Sequence, residues 1–193
     1  MKATFLGQGL SSASDAPLFS EIKSAFSSAR FTVLKVWVAF LSKSGAEFIR
    51  QLAQANLHCQ VTISVGVDLK GTSKEALEIL LTGPIQAFVF YTVSPQIYHP
   101  KVYLFQGEAE ACLLVGSSNL TRGGLASNVE ASIRLDFDLK TGKHLIEQID
   151  AFFGHALPTN ANSKVLNQAL IDVLVTEGIV PTEAERAALK NKG

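Results

Sequence analysis

The segment from Tyr98 to Ile133, YHPKVYLFQGEAEACLLVGSSNLTRGGLASNVEASI, contains three strand-like runs separated by polar clusters. His99 and Lys101 are two positions apart in the first run, so on a β-strand their side chains share one face. The second run, residues 111–115, is short and apolar and leads directly into Gly116-Ser117-Ser118-Asn119. We therefore predict that neighbouring strands carry an imidazole, an ammonium group and a Gly-Ser-x-Asn turn.

These residue types suit attack on a phosphodiester. Histidine can act as a nucleophile or proton donor near neutral pH, and lysine offers a compact charge to non-bridging phosphate oxygens. The hydroxyl of Ser117, the amide of Asn119 and the backbone N–H groups of the turn could hold the same phosphate. The third run places Glu130 on a polar face, and a carboxylate near His99 could orient the ring and fix its tautomer.

The segment resembles the phospholipase D superfamily, whose motif is H-x-K, four residues, D, and later G-S-x-N. The matching residues are His99, Lys101, Gly116, Ser117 and Asn119. The phrase GSSNLTRGGLASNVEA is most similar to the single-motif nuclease branch, which includes metal-independent restriction endonucleases and nuclease-like domains attached to helicases. Glu130 matches a glutamate that these enzymes carry downstream of G-S-x-N. The segment GVDLKGTSKEAL, residues 66–77, is also similar to this branch.

The sequence departs from the motif at Gln106, where the family has an aspartate. That aspartate is usually regarded as supporting the site rather than attacking phosphorus. The resemblance covers roughly residues 20 to 155 and implies a layered α/β/α sandwich with a mixed central β-sheet.

The resemblance also implies a two-step mechanism without a metal or other cofactor. One histidine attacks phosphorus to give a phosphohistidine, a second protonates the leaving oxygen, and water then releases the product. None of His58, His144 and His155 begins a second H-x-K. We therefore expect a homodimer in which two chains form one active site across a two-fold axis.

In this reading each side chain has a role. His99 is the nucleophile and, from the partner chain, the general acid. Lys101 and Asn119 bind phosphate, Ser117 assists, and Glu130 orients His99. Further substrate contacts are expected from Ser118, Arg122 and Lys43.

The overall charge bears on the nucleic-acid partner. Lysine plus arginine, 17, equals aspartate plus glutamate, 17, and the pI is about 6.9. This balance counts against tight, unaided binding of single- or double-stranded DNA. We expect either a separate DNA-recognition or helicase partner or a local basic groove, with candidate residues Lys35, Lys43, Lys101, Arg122 and Arg134.

Helix and strand patterns alternate along the chain, which predicts an α/β fold. The 193 residues fit one domain, residues 1–157, followed by a helical extension, residues 158–193. The predicted helices run from Ser14 or Asp15 to about Ala29, over Ala46–Ala55 and over Ser73–Leu81, the last with a Thr72/Glu75 capping box. The predicted strands include Phe31–Phe40, Cys59–Val67 and Ile85–Val93. Thr182 and Glu185 predict another capping box in the extension.

Each motif also has an ordinary structural explanation. A His-x-Lys pair can be the polar face of a strand, and Ser117 and Asn119 can stabilise a tight turn. Glu130 can pair with Arg134 or Arg122. A non-catalytic nucleic-acid-binding or assembly module on the same scaffold therefore remains open, favoured by Gln106 and the neutral charge.

Other functional classes fit the sequence less well. A phospholipase would use the same chemistry, but lipid-cleaving relatives usually carry two motifs, and the chain has no obvious basic amphipathic helix. The histidines and cysteines lack zinc spacing, and no Walker loop is present. Cys59 and Cys112 lie in apolar runs and are expected to be buried, reduced thiols, and Trp37 is expected in the core. No apolar run approaches the length of a membrane span, so we expect a cytoplasmic protein.

Overall fold

A computed structural model describes residues 1–11, 13, 15–92, 95–154 and 161–190 of the chain. Eight strands form one sheet in the order β1-β7-β6-β5-β2-β3-β4-β8. The strands are β1 (Lys2–Gln8), β2 (Val33–Val38), β3 (Gln60–Gly66), β4 (Ile85–Phe90), β5 (Lys101–Gln106), β6 (Glu110–Gly116), β7 (Glu130–Asp138) and β8 (Ser163–Val165). The helices are α1 (Leu18–Ser27), α2 (Lys43–Ala55), α3 (Lys74–Leu81), α4 (Leu139–Gly154), α5 (Gln168–Thr176) and α6 (Glu183–Lys190).

The sheet is mixed. Strands β2, β3 and β4 are parallel and are joined by α2 and α3, whereas the other pairs are antiparallel. Helices α1, α2, α3 and α5 contribute to the larger core on one face, and α4 packs against the smaller core on the other. The predicted layered α/β fold with a mixed central sheet is therefore confirmed.

Helix α1 buries one face, as its sequence predicts. Leu18, Ile22, Ala25 and Phe26 recur at helical spacing, and each is at most 2% exposed. The predicted cap was wrong for Asp15, whose carboxylate accepts from the backbone N–H groups of Gly9 (3.0 Å) and Ser11 (3.1 Å). Pro17 precedes the first helical residue, and Ser14 lies outside the described residues.

Helices α2 and α3 begin at serine caps. Ser42 accepts from the Gly45 N–H at 3.2 Å, so α2 begins three residues before the predicted start. Ser73 caps α3 and accepts from the Ala76 N–H at 3.3 Å. The predicted cap, Thr72, instead donates to the Gly66 carbonyl at 2.7 Å and accepts from the Leu41 N–H at 3.0 Å. Its buried hydroxyl thus joins two chain segments that leave the parallel strands.

The C-terminal residues pack on the same sheet. Strand β8 pairs with β4, and Leu166, Ile171 and Leu174 belong to the larger core. The expectation of a purely helical extension missed this strand. The predicted boundary between residues 157 and 158 lies outside the described residues. The Thr182/Glu185 capping box is confirmed, because the Thr182 hydroxyl accepts from the Glu185 N–H (3.2 Å) and Glu185 accepts from the Thr182 N–H (2.8 Å).

Both cysteines are free and buried, as predicted, and burial raises the pKa of Cys59 to about 11. Trp37 lies in the smaller core and stacks on Phe153 with ring centroids 4.5 Å apart. Within the described residues, no helix has both the length and the apolar character needed to cross a membrane.

Candidate active site

His99 and Lys101 lie where the chain enters β5. Lys101 is the first strand residue, and His99 lies in the preceding loop rather than on the predicted strand. The ammonium of Lys101 is 2.7 Å from Nδ1 and 3.1 Å from Nε2 of the His99 ring, and it donates to the His99 carbonyl at 3.0 Å. The rings of Phe40 and His99 meet edge to face at 5.5 Å. The imidazole is therefore exposed but held between an ammonium group and an aromatic ring.

This environment favours the neutral imidazole. Partial burial and the Lys101 charge lower the pKa of His99, since both disfavour the imidazolium ion. Burial also lowers the pKa of Lys101, although the Glu130 charge opposes this shift. A neutral imidazole next to an ammonium group has a lone pair for attack and a neighbour that can bind anionic oxygens.

We predict that the His99 pKa, followed by NMR titration, lies below the ordinary value of 6.5. Lys101→Met should raise it, because the change removes a positive charge that disfavours ring protonation. Lys143→Met is the matched control, since the Lys143 side chain is 74% exposed and pairs with Glu147 on α4. A parent pKa at or above 6.5, or no increase in Lys101→Met, would contradict the electrostatic account.

The Gly-Ser-x-Asn turn is tied to the end of β2. The Asn119 side-chain oxygen accepts from the Phe40 N–H at 3.1 Å, and Leu120 forms an isolated parallel bridge with Leu41. Glycine is required at two close approaches: a Cβ at Gly116 would overlap the Ala131 carbonyl, and one at Gly45 would overlap the Leu120 carbonyl. The turn thereby positions Phe40, which contacts His99.

Ser117 and Glu130 form a second polar pair. The Ser117 hydroxyl donates to the Glu130 carboxylate and accepts from the Ala131 N–H at 3.1 Å. Asn128 donates to the other Glu130 oxygen at 3.1 Å. The expected orientation of His99 by Glu130 is replaced, within the described residues, by contacts to Ser117 and Asn128. Glu130 instead acts through its charge on Lys101.

The three expected substrate contacts occupy different settings. Ser118 is only 2% exposed, and its carbonyl accepts from the buried Tyr103 hydroxyl at 3.0 Å. Ser118 therefore anchors the turn to the core. Arg122 is exposed and lines a groove next to Asn119. Lys43 is exposed at the start of α2, where its backbone N–H donates to Glu183 at 2.9 Å. Among the three, Arg122 is best placed to meet substrate.

Two residues proposed for a basic groove are engaged elsewhere. Lys35 donates to Asp150 of α4 at 2.7 Å, and Arg134 donates to Asp136 at 2.8 Å and to Glu21 at 2.7 Å. Neither residue lines the groove that contains Asn119 and Arg122, so including Lys35 and Arg134 in a basic groove at the site was wrong. Arg134 also does not pair with Glu130, which removes one ordinary explanation for that glutamate.

Asp68 is a site-supporting residue that sequence reasoning missed. Its buried carboxylate accepts from the backbone N–H of Tyr98 at 2.9 Å and from that of Thr92 at 3.3 Å. It therefore anchors both ends of the loop before His99. Its place two residues after β3, at the carboxyl end of a parallel strand, was the available signal.

Asp68→Ala should lower kcat for phosphodiester cleavage by about 10- to 100-fold with little change in KM, because a loosened loop misplaces His99. Asp150→Ala is the matched control, since that carboxylate belongs to α4 and binds Lys35, away from the loop before His99. Equal activity in parent and Asp68→Ala, with both folded by circular dichroism, would show that Asp68 does not position His99.

Gln106 lies at the opposite end of β5 from Lys101. Five steps along the strand place their Cα atoms about 17 Å apart. The missing motif aspartate is therefore not a missing contact to His99 or Lys101. Within the described ranges, no group of three or more His, Cys, Asp or Glu side chains is arranged to hold a metal ion.

Residues 18–156 match the family model described as cardiolipin synthase, PLD-like domain. The chain belongs to the phospholipase D-like family. No curated protein sequence matched the chain. Among solved structures, the fold is similar to Nuc, a phospholipase D family member from Salmonella typhimurium, with 15% identity, a TM-score of 0.57, and coverage of 85% of this chain and 98% of Nuc.

Two further structures share this phospholipase D-like fold. NucT from Helicobacter pylori has 15% identity and a TM-score of 0.55, and the match covers 79% of this chain and 96% of NucT. Yeast tyrosyl-DNA phosphodiesterase has 13% identity and a TM-score of 0.52, and the match covers 92% of this chain and 41% of the yeast enzyme. The family model ends before β8, so α5 and α6 lie outside it.

Proposed function

We propose that this phospholipase D-like chain is a metal-independent phosphodiesterase that cleaves DNA. The observation that carries the proposal is the contact between an exposed imidazole, with its lowered pKa, and the Lys101 ammonium. The Glu130 charge acts on Lys101, and Asn119 binds the backbone of Phe40, whose ring contacts His99. Such a cluster is more than the polar face of a strand requires.

The proposed reaction has two steps. An unprotonated ring nitrogen of His99 attacks phosphorus, and the P–O bond to one strand end breaks as that oxygen takes a proton from a second histidine. The resulting phosphohistidine is hydrolysed when water attacks phosphorus, gives its proton to the second histidine, and displaces His99. Lys101 and the Gly-Ser-x-Asn turn stabilise the negative charge on the non-bridging oxygens.

The second histidine is proposed to be His99 of a partner chain. An exposed apolar patch next to the site supports this arrangement. Phe5 and Ile133 are register partners, as are Ile133 and Val115, so these three side chains form a row across β1, β7 and β6. Together with Val129 they form the apolar patch, with exposures of 69%, 37%, 39% and 66% for Phe5, Ile133, Val115 and Val129.

The apolar patch is continuous with the site. Phe5 and Val129 line a groove of about 530 Å³ that also contains Ser117 and Glu130. A second copy covering this surface would bury apolar groups and bring its own H-x-K segment toward the first. The proposed dimer would therefore supply the second histidine and also cover the apolar patch.

DNA is proposed as the substrate on two grounds. The sequence carries the single-motif phrase of the nuclease branch, and one structural neighbour is named for a phosphodiester linkage to DNA. The neutral charge still favours a separate DNA-recognition or helicase partner. The family description names a lipid enzyme, which makes a phospholipid the principal competing substrate.

The test is to incubate the purified chain in excess EDTA with single-stranded DNA, double-stranded DNA or phosphatidylglycerol vesicles. We expect strand cleavage without added metal and no release of lipid headgroup. Headgroup release without DNA cleavage would replace the nuclease proposal with a phospholipase. Absence of both reactions, with DNA binding retained, would favour the non-catalytic module.

A further inference from the structure

Helix α6 forms one wall of a groove that opens beside the catalytic turn. The α6 groove has a volume of about 520 Å³ and is lined on one side by Asn119, Arg122 and Asn128 and on the other by Glu183, Arg186 and Ala187. This volume is in the range of ligand pockets, roughly 300–1,000 Å³. The groove therefore joins a motif residue to a part of the chain beyond the family match.

The position of α6 is fixed by hydrogen bonds to two neighbouring helices. The Glu183 carboxylate accepts from the Lys43 N–H at 2.9 Å and from the Ser73 hydroxyl at 2.6 Å. The Glu183 N–H donates to Glu75 at 2.8 Å. These contacts tie the first turn of α6 to the starts of α2 and α3. They hold α6 in a fixed position beside the Gly-Ser-x-Asn turn.

The α6 groove carries two guanidinium groups. Arg122 is exposed, whereas Arg186 donates to Glu183 at 3.2 Å and its side chain is 14% exposed. A guanidinium group has five N–H donors and can bind a phosphate while retaining a carboxylate partner. Asn128 also lines the groove and donates to Glu130, so a strand lying there would be continuous with the catalytic cluster.

We propose that the α6 groove is a subsite for the nucleic-acid strand next to the scissile bond, in which Arg122 and Arg186 bind a flanking phosphate. This inference rests on the proposed function and specifies where its substrate extends. It assigns α6 to strand binding and makes Arg186 a substrate-binding residue. The catalytic step itself remains with His99 and Lys101.

The first test compares a 20-nucleotide single strand with bis(p-nitrophenyl) phosphate, a diester that has no flanking phosphate to occupy the groove. Arg186→Ala should raise KM for the oligonucleotide about tenfold, leave kcat within about twofold, and leave kcat/KM for the small diester within about twofold. Ala187→Glu should act in the same direction, because it adds a carboxylate at an exposed groove position. Arg50→Ala is the matched control, since Arg50 binds Gln54 on α2.

The second test separates this subsite from catalysis. A fluorescent oligonucleotide is titrated against His99→Ala chains with and without Arg186→Ala at several salt concentrations. Arg186→Ala should weaken binding and reduce the slope of log K against log salt by about one. Binding that weakens in this way without parental cleavage would leave the subsite standing while the proposed function fails.

The inference is overturned if Ala187→Glu and Arg186→Ala match the parent in oligonucleotide binding. It is also overturned if they impair the small diester as much as the oligonucleotide, because that result would place their effect on the reaction itself.

Discussion

His99→Ala is expected to lower DNA cleavage in EDTA by about 10⁴-fold or more, because it removes both the attacking nitrogen and the proton donor of the proposed site. The fold should persist, since His99 is exposed and lies in a loop. The measurement is the initial rate of strand cleavage under single-turnover conditions, with folding checked by circular dichroism.

His144→Ala is the matched control for this substitution. His144 is exposed on α4, away from the Lys101 contact that defines the site. We expect parental activity from this variant. Cleavage by His99→Ala within tenfold of the parent would remove His99 from the mechanism and return the His-x-Lys pair to an ordinary structural role.

Phe5→Glu is expected to separate the proposed dimer and lower cleavage by about 100-fold or more at protein concentrations where the parent is dimeric. The side chain is 69% exposed on the edge strand β1, so a carboxylate there should leave the monomer folded. Placing a charge in an apolar interface carries a desolvation cost that weakens association. Sedimentation velocity and cleavage rate are measured on the same samples.

Leu57→Glu is the control for added surface charge. Leu57 is 77% exposed and lies between α2 and β3, at the opposite end of the parallel strands from the site. It should leave mass and rate unchanged. If Phe5→Glu stays dimeric and active, the apolar patch is not the interface, and a fully active parental monomer would remove the need for a partner histidine.

The local sequence pattern predicted the helices and strands better than the residues at which they begin and end. The buried face of α1 follows from helical spacing alone, and β2, β3 and β4 follow from apolar runs. The cap of α3 was misplaced by one residue because Thr72 and Ser73 are both good caps. The choice depends on the Leu41 N–H, which binds the Thr72 hydroxyl across 31 positions of sequence.

The motif residues could be predicted because their spacing is local, but their partners could not. Lys35 and Arg134 were assigned to a basic groove, yet each binds a carboxylate more than 100 positions away, Asp150 and Glu21 respectively. The position of Asp68 and the proposed role of Arg186 could not be predicted for the same reason, since both depend on which loops and helices meet in the fold. Charge placement at a site is a tertiary property, whereas a strand pattern is a local one.

The most direct test of a shared active site is the activity of a purified heterodimer that combines one parental chain with one His99→Ala chain, isolated through two different affinity tags. The proposed mechanism requires a nucleophile from one chain and an acid from the other, so the heterodimer should cleave DNA at the background rate of the His99→Ala homodimer. A heterodimer with half the parental activity would show that each chain has its own complete site, and it would contradict the shared-site mechanism.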